Sequence, residues 1–196
     1  MKNLCLVLLL VLSSLSGYSQ TLKRDSVYIK TSIFELVYSE VLEQPKWVKY
    51  TVTCPNGTAS RDGMEFYTND SVHTSNTYDY IDNVWDRGHI APAADFNCDS
   101  LMLHKTFTYM NCALQHQDLN RGVWKWLEFH ERKLALSYIV KVEVRAVYSK
   151  KSIKLVTGAT VPDGFYKIIK YSNKIEKYYF PNKTPLYTDY KKYLTK

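Results

Sequence analysis

Two stretches of this chain hold side chains that could do chemistry together. The first is Asp86-Arg87-Gly88-His89-Ile90-Ala91-Pro92-Ala93-Ala94-Asp95. The second runs from Asn111 to Gln115 and on through Asn120, Arg121, Trp124 and Glu128. His89 suits general-base work at neutral pH, because an unperturbed imidazole has a pKa near ~6.5. A nearby cation, Arg87 or a bound metal ion, keeps such a ring neutral. Arg87 can grip a phosphate through two parallel N–H bonds. Asn120 and Glu128 are eight positions apart, which on a helix is roughly two turns and brings the side chains within about 80° of one another. Two oxygen-bearing side chains on one face can hold a hard cation directly or through its waters, and Mg2+ often takes only one or two protein ligands. A neutral amide ligand leaves most of the ion's charge uncompensated, so the ion acts as a strong Lewis acid toward a phosphate oxygen.

Each of these residues also has an ordinary use. Asn120 can be a helix N-cap. Glu128 can be an exposed helix carboxylate paired with Lys125 or Arg132. An isolated Arg-Gly-His is most simply a structural histidine beside a surface arginine. His73, His104, His116 and His130 have no helical or cysteine-paired ligand spacing and read as loop or surface residues.

The elements that must position these groups are legible in outline. Ile33 to Tyr38 and Trp47 to Thr53 are β-branched and aromatic, as strands are. Residues 54–83 are rich in Asn, Thr, Ser, Asp and Gly and read as a long loop region. From Tyr138 to Tyr148 the pattern alternates, with Val140, Val142, Val144 and Ala146 on one face and Lys141, Glu143 and Arg145 on the other. Ile153–Thr157, Phe165–Lys170 and Ile175–Phe180 read as three more strands, and one helix is expected from near Asn120 to about Leu136. Strands before and after one central helix predict an α+β fold with an antiparallel sheet.

Of the 196 residues, 45% are hydrophobic and 23% charged, which fits one globular domain and excludes disorder as the default. Met1 to Gln20 has the secretory pattern: Lys2, the apolar run Leu4–Leu12, then small residues and a cleavage point after Ser19. The expected organisation is a signal peptide over 1–19 and a single domain over 20–196, soluble and exported to the periplasm or the medium. No later segment is apolar enough to span a membrane. Setting Cys5 aside leaves Cys54, Cys98 and Cys112, hence at most one internal disulfide, and the spacing leaves the pair open. The net charge of +7 is unevenly spread: residues 150–196 hold eleven Lys against three acids. Such a field attracts polyanions, although a solvated lysine face explains it equally well.

Together, DRGHIAPAAD and TFTYMNCALQHQDLNRGVWKWLE resemble the DNA/RNA non-specific endonucleases, a family that includes secreted bacterial sugar-nonspecific nucleases and mitochondrial endonuclease G. The family's signature is Asp-Arg-Gly-His, an Asn, then Asn-(Arg/Gln)-Gly-x-Trp-x-x-Leu-Glu, and every position is filled here. Weaker similarity extends over about Ile33 to Tyr190. The resemblance implies the ββα-metal nuclease fold, in which a strand pair carries the histidine and a helix carries the metal ligand. It implies His89 as general base, Asn120 as the direct protein ligand of hydrated Mg2+ (Mn2+ being a plausible substitute), and Glu128 as holder of the ion's waters. It further implies Arg87 on phosphate, Asn111 as support, and Arg61 as an upstream arginine, with DNA and RNA as substrates cleaved by in-line attack of water.

Two departures stand out. Many relatives have Pro-Gln where this chain has Leu114-Gln115. Cys98 and Cys112 closely flank the two motifs, and a bridge between them would brace the site. Two other readings compete with a broad nuclease: an enzyme restricted to RNA or single strands, and a catalytically weak relative that binds polyanions through its lysine-rich end.

Overall fold

The computed structural model describes residues 22–195, so the expected signal peptide lies outside the described residues. The six-stranded sheet is antiparallel throughout, in the order β1-β2-β3-β6-β7-β8. Its strands are β1 (Val27–Lys30), β2 (Phe34–Ser39), β3 (Gln44–Thr51), β6 (Val140–Val147), β7 (Gly164–Tyr171) and β8 (Lys174–Pro181). A separate antiparallel pair is formed by β4 (Trp85–His89) and β5 (Cys112–His116). The helices are α1 (Ser100–Lys105), the short α2 (Gln117–Leu119) and α3 (Lys125–Ala135), with a π-helical turn over Asn120–Trp124 leading into α3.

Period-two patterning explains the central strands. Val140, Val142 and Val144 of β6 are buried, while Lys141 and Arg145 face out. Register carries that alternation across the sheet, since Val142 lies opposite Tyr50 and Ile169, both buried. The inner face packs on α3 and the π turn. Trp124 is fully buried between Phe165 and Phe180, with ring centroids 5.6 and 5.5 Å away. An indole sealed into such a core is worth about 3–5 kcal/mol relative to alanine. It pins the front of the helix onto β7 and β8.

The expected α+β class and antiparallel sheet are present. Three details differ. Ile153–Thr157 is no strand: it makes one isolated bridge, Lys154 with Thr160, and Ile153 and Val156 are exposed. The chain turns back at Gly158 (φ +124°), so the segment's backbone bonds go to the residues just after it: Leu155 N–H to the Ala159 carbonyl and Val161 N–H to the Ile153 carbonyl, both at 2.8 Å. The helix does not run uniformly from Asn120, because Gly122 (φ −102°, ψ −117°) leaves helical geometry inside the π turn. The disulfide joins Cys54 and Cys98, whose Cα atoms are 5.6 Å apart, while Cys112 is a buried free thiol. The pairing the sequence left open is thus settled, and the bracing bridge considered between Cys98 and Cys112 is absent: Cys112 starts β5 inside the core, opposite His89, and Cys98 belongs to the loop before α1.

Candidate active site

His89 ends β4. Gly88 beside it lies against the Gln115 side chain of β5, where a Cβ would clash, so the Arg-Gly-His spacing needs glycine for the two strands to approach. The His89 ring sits between Phe66 and Phe107, at centroid distances of 5.0 and 4.9 Å. Its Nε2 is buried without a partner. Burial, then the charge of Arg61, pushes its pKa down to about 3, so the ring is neutral. Arg87 points to the same side of β4 as His89, resting over Tyr80 and Phe66 and donating from Nε to the Tyr109 hydroxyl at 3.2 Å.

Asn111 is fully buried beneath the segment that follows His89. Its Oδ1 accepts from Ala91 N–H at 2.8 Å, and its Nδ2 donates to the carbonyls of Ala91 and Thr106 at 2.9 and 3.0 Å. Fully buried and bonded to backbone through both Oδ1 and Nδ2, Asn111 clamps the segment after His89.

Asn120 is no N-cap, since its own backbone is helical. Its Nδ2 donates to Asp86 Oδ2 at 2.9 Å. A carboxylate only accepts, so this bond fixes which amide atom points at Asp86 and leaves Oδ1 as the free one. Arg121 grips the same carboxylate, with Nε and Nη2 at 2.9 and 2.6 Å. Desolvation raises the Asp86 pKa, but the bonds from Arg121 and Asn120 outweigh it and hold the carboxyl below its ordinary range.

Glu128 is half-buried and is not the exposed ion-paired carboxylate of the plain sequence reading. Burial raises its pKa to about 7, against the pull of Lys167 and Arg132. Asn120 and Glu128 line one cleft of about 480 Å3 with Arg61, Arg121, Lys125, Phe129 and Arg132. Arg61 is the link between the cleft and the neighbouring histidine, whose protonation its charge opposes. The cleft's other wall is Pro55, Gly57, Ala94 and Asn97, tied together by the Cys54–Cys98 disulfide and by a 3.0 Å bond from Asn97 Nδ2 to the Gly57 carbonyl.

Arg132, read from sequence only as a partner for Glu128, instead donates to the buried Asp95 at 2.9 Å. Its spacing with Arg121, Lys125 and Glu128 on one helix face was the available signal. Lysines of 150–195 do not line the cleft, so its positive charge comes from residues 61–132. His73, His104, His116 and His130 stay outside it; His73 and His130 pair with Glu43 and Glu176. Leu114, where many relatives have proline, donates its N–H to Gln44 Oε1 at 2.9 Å, a bond proline lacks the hydrogen to make.

Residues 15–195 match the family model described as DNA/RNA non-specific endonuclease. The chain belongs to that family. Among curated members of this endonuclease family, it is 32% identical over 104 residues to the mitochondrial nuclease EXOG of Danio rerio, covering 50% of this chain and 30% of that protein. It is 35% identical over 85 residues to mitochondrial endonuclease G of Homo sapiens, covering 42% and 29%. It is 30% identical over 129 residues to the mitochondrial nuclease of Saccharomyces cerevisiae, covering 62% and 35%. The matched stretches thus span about a third of these relatives' length. The crystal structure of an EndoG/EndoGI complex superimposes with a TM-score of 0.77 at 26% identity, covering 86% of this chain and 80% of that one. In that shared ββα arrangement, β4 and β5 supply the strand pair and α3 the helix.

Proposed function

We propose that this chain is a Mg2+-dependent endonuclease that hydrolyses phosphodiester bonds in DNA and RNA, with His89 as general base. The observation that carries the reading is the Asn120 amide, turned by Asp86 so that Oδ1 is left free in a cleft shared with Glu128 and four cations. This donor set fits a hard ion. Among the described residues there is no group of three or more His, Cys, Asp or Glu able to hold a metal unaided. An ion held by one amide oxygen and, through water, by Glu128 keeps most of its hydration shell, as Mg2+ prefers. Bound there, it would supply Lewis acidity toward a phosphate oxygen and the leaving 3′ oxygen.

The protein's own groups do the rest. His89, held neutral, takes the proton of the attacking water; with Nε2 buried, Nδ1 is the nitrogen available for it. The phosphodiester anion favours the imidazolium that results, opposing the effect of Arg61. Arg61 and Arg87 stabilise the charge that develops on the phosphoryl oxygens. Contacts to phosphate and sugar carry no base information, so cleavage is expected to be weakly sequence-selective. Export follows from the leader over 1–19, and the disulfide supports it because oxidising compartments favour such bonds.

The test is supercoiled plasmid incubated with the purified protein in Mg2+ or EDTA, beside His89→Ala. Nicking that needs Mg2+ and is lost in the variant is expected. A folded protein that retains DNA but leaves it intact over several divalent metals at low salt would replace this reading with the polyanion binder.

A further inference from the structure

The cleft contains a group that phosphodiester hydrolysis does not require. Phe129 lines it and is 45% exposed, next to Trp126, which is 56% exposed, with ring centroids 5.5 Å apart. A lone exposed apolar residue needs no explanation. Here, however, the Phe129 ring lies in a concave surface, flanked by cations, with Trp126 beside it outside the cleft lining. The Arg132 guanidinium lies 4.7 Å from the Phe129 centroid and the Lys125 ammonium 5.9 Å. Core packing does not account for Phe129, because Val123, Trp124 and Leu127 fill the buried side of this helix. Nor is Phe129 needed to hold Arg132, whose guanidinium is already bound to Asp95 at 2.9 Å.

Phe129 directly follows Glu128 on α3, and both line the same cleft. A strand whose scissile phosphate reaches Asn120 and Glu128 therefore brings a neighbouring nucleotide to Phe129, with Lys125 and Arg132 beside it to meet flanking phosphates. Aromatic rings beside a cationic groove stack nucleobases without regard to their identity. A base inside a duplex is paired and stacked on its neighbours, and only an unpaired or extruded base can lie on a protein ring.

From this arrangement we infer that Phe129 is a nucleobase-stacking platform that makes single-stranded or locally unpaired nucleic acid the preferred substrate. The inference rests on the nuclease reading for its chemistry, but its binding step can be measured without cleavage.

The experiment uses an oligonucleotide carrying 2-aminopurine, as a single strand and as a matched duplex, bound in EDTA to wild type, Phe129→Ala and Phe129→Trp. Melting temperatures of the three proteins serve as the folding control. The expected result is quenching of the single-strand probe by wild type, loss of quenching with Phe129→Ala, and recovery with Phe129→Trp. Single-strand affinity should fall on the order of 5- to 100-fold in the alanine variant, as for other base-stacking aromatics. Duplex affinity should fall much less, so that the ratio of the two drops at least about fivefold. An unchanged ratio, or a probe that wild type does not quench, overturns the platform. Cleavage of both substrates in Mg2+ is then compared. If neither is cut while quenching persists, the nuclease reading fails and the stacking site stands.

Discussion

Asp86 and Asn120, 34 positions apart in sequence, meet in a 2.9 Å hydrogen bond from amide to carboxylate. That bond joins β4 to the π turn, and through Asn120 it sets which oxygen the cleft presents. Groups that orient a metal ligand typically change affinity by 10- to 100-fold when removed. Asp86→Ala should therefore raise the Mg2+ concentration for half-maximal cleavage by about that factor, and Asp86→Asn, which keeps an acceptor for the Asn120 amide, by less. Equal Mg2+ dependence in all three proteins would deny Asp86 this part.

His89 should stay neutral through the physiological range. Its native pKa of about 3 lies below the ordinary ~6.5 of the unfolded chain. Between those values the unfolded chain binds a proton that the native protein does not, so stability rises with pH. The contribution is complete above about 6.5 and is lost as pH falls toward 3. NMR of the imidazole should show no protonation from about pH 5 to 8, and Arg61→Ala should raise the pKa by removing a neighbouring positive charge. His89→Gln should melt with a shallower pH dependence across the acid window. Its cleavage rate should fall by about 10²- to 10⁴-fold, the usual share of a general base.

The disulfide spans 44 positions and braces the cleft wall next to Arg61. Replacing both Cys54 and Cys98 with serine should cost about 2–4 kcal/mol in urea unfolding. The same change in Cys112, a buried free thiol, tests packing alone. A double variant as stable as wild type would show that the unfolded chain is not constrained by this link.

Beneath α3, Lys167 and Glu131 form a fully buried ion pair at 2.6 Å, with the Tyr50 hydroxyl donating to Glu131 at 2.8 Å. The Lys167 ammonium also lies 4.4 Å from the Trp124 ring centroid. Removing one partner strands the other, so Lys167→Met should destabilise by about 3–5 kcal/mol. Changing both, Lys167→Met with Glu131→Leu, should recover much of that loss. Thermal melts of wild type and the two variants decide it, and a double variant no better than the single would place the cost in packing instead of charge.

Lys167 shows where reading the chain stops short. As one of eleven lysines in the basic C-terminal quarter, it looks like part of a solvated face. Its strand position, however, alternates inward with Phe165 and Ile169, and the register sets it opposite Val144. The β4–β5 pair is hidden for a similar reason: Asp-Arg-Gly-His has no alternation of apolar residues, and its pairing depends on a partner 23 positions after His89. Ile153–Thr157 errs in the other direction, with strand-like residues whose backbone bonds to its own return over Ala159–Val161 instead of to a sheet strand.

What this sequence determined by itself is local: the alternation of Val140 to Val147, the helix after Asn120, and the types and spacing of His89, Asn120 and Glu128 that mark the family. These follow from side-chain chemistry and from the periods of strand and helix, which a linear pattern records. Tertiary structure alone decided that Asp86 turns Asn120, that Cys54 pairs with Cys98, that Arg61 acts on His89, and that Phe129 faces a cleft. Each of these depends on segments far apart in the chain being brought together by burial of the Trp124 core, and no local period encodes which distant residue will lie opposite.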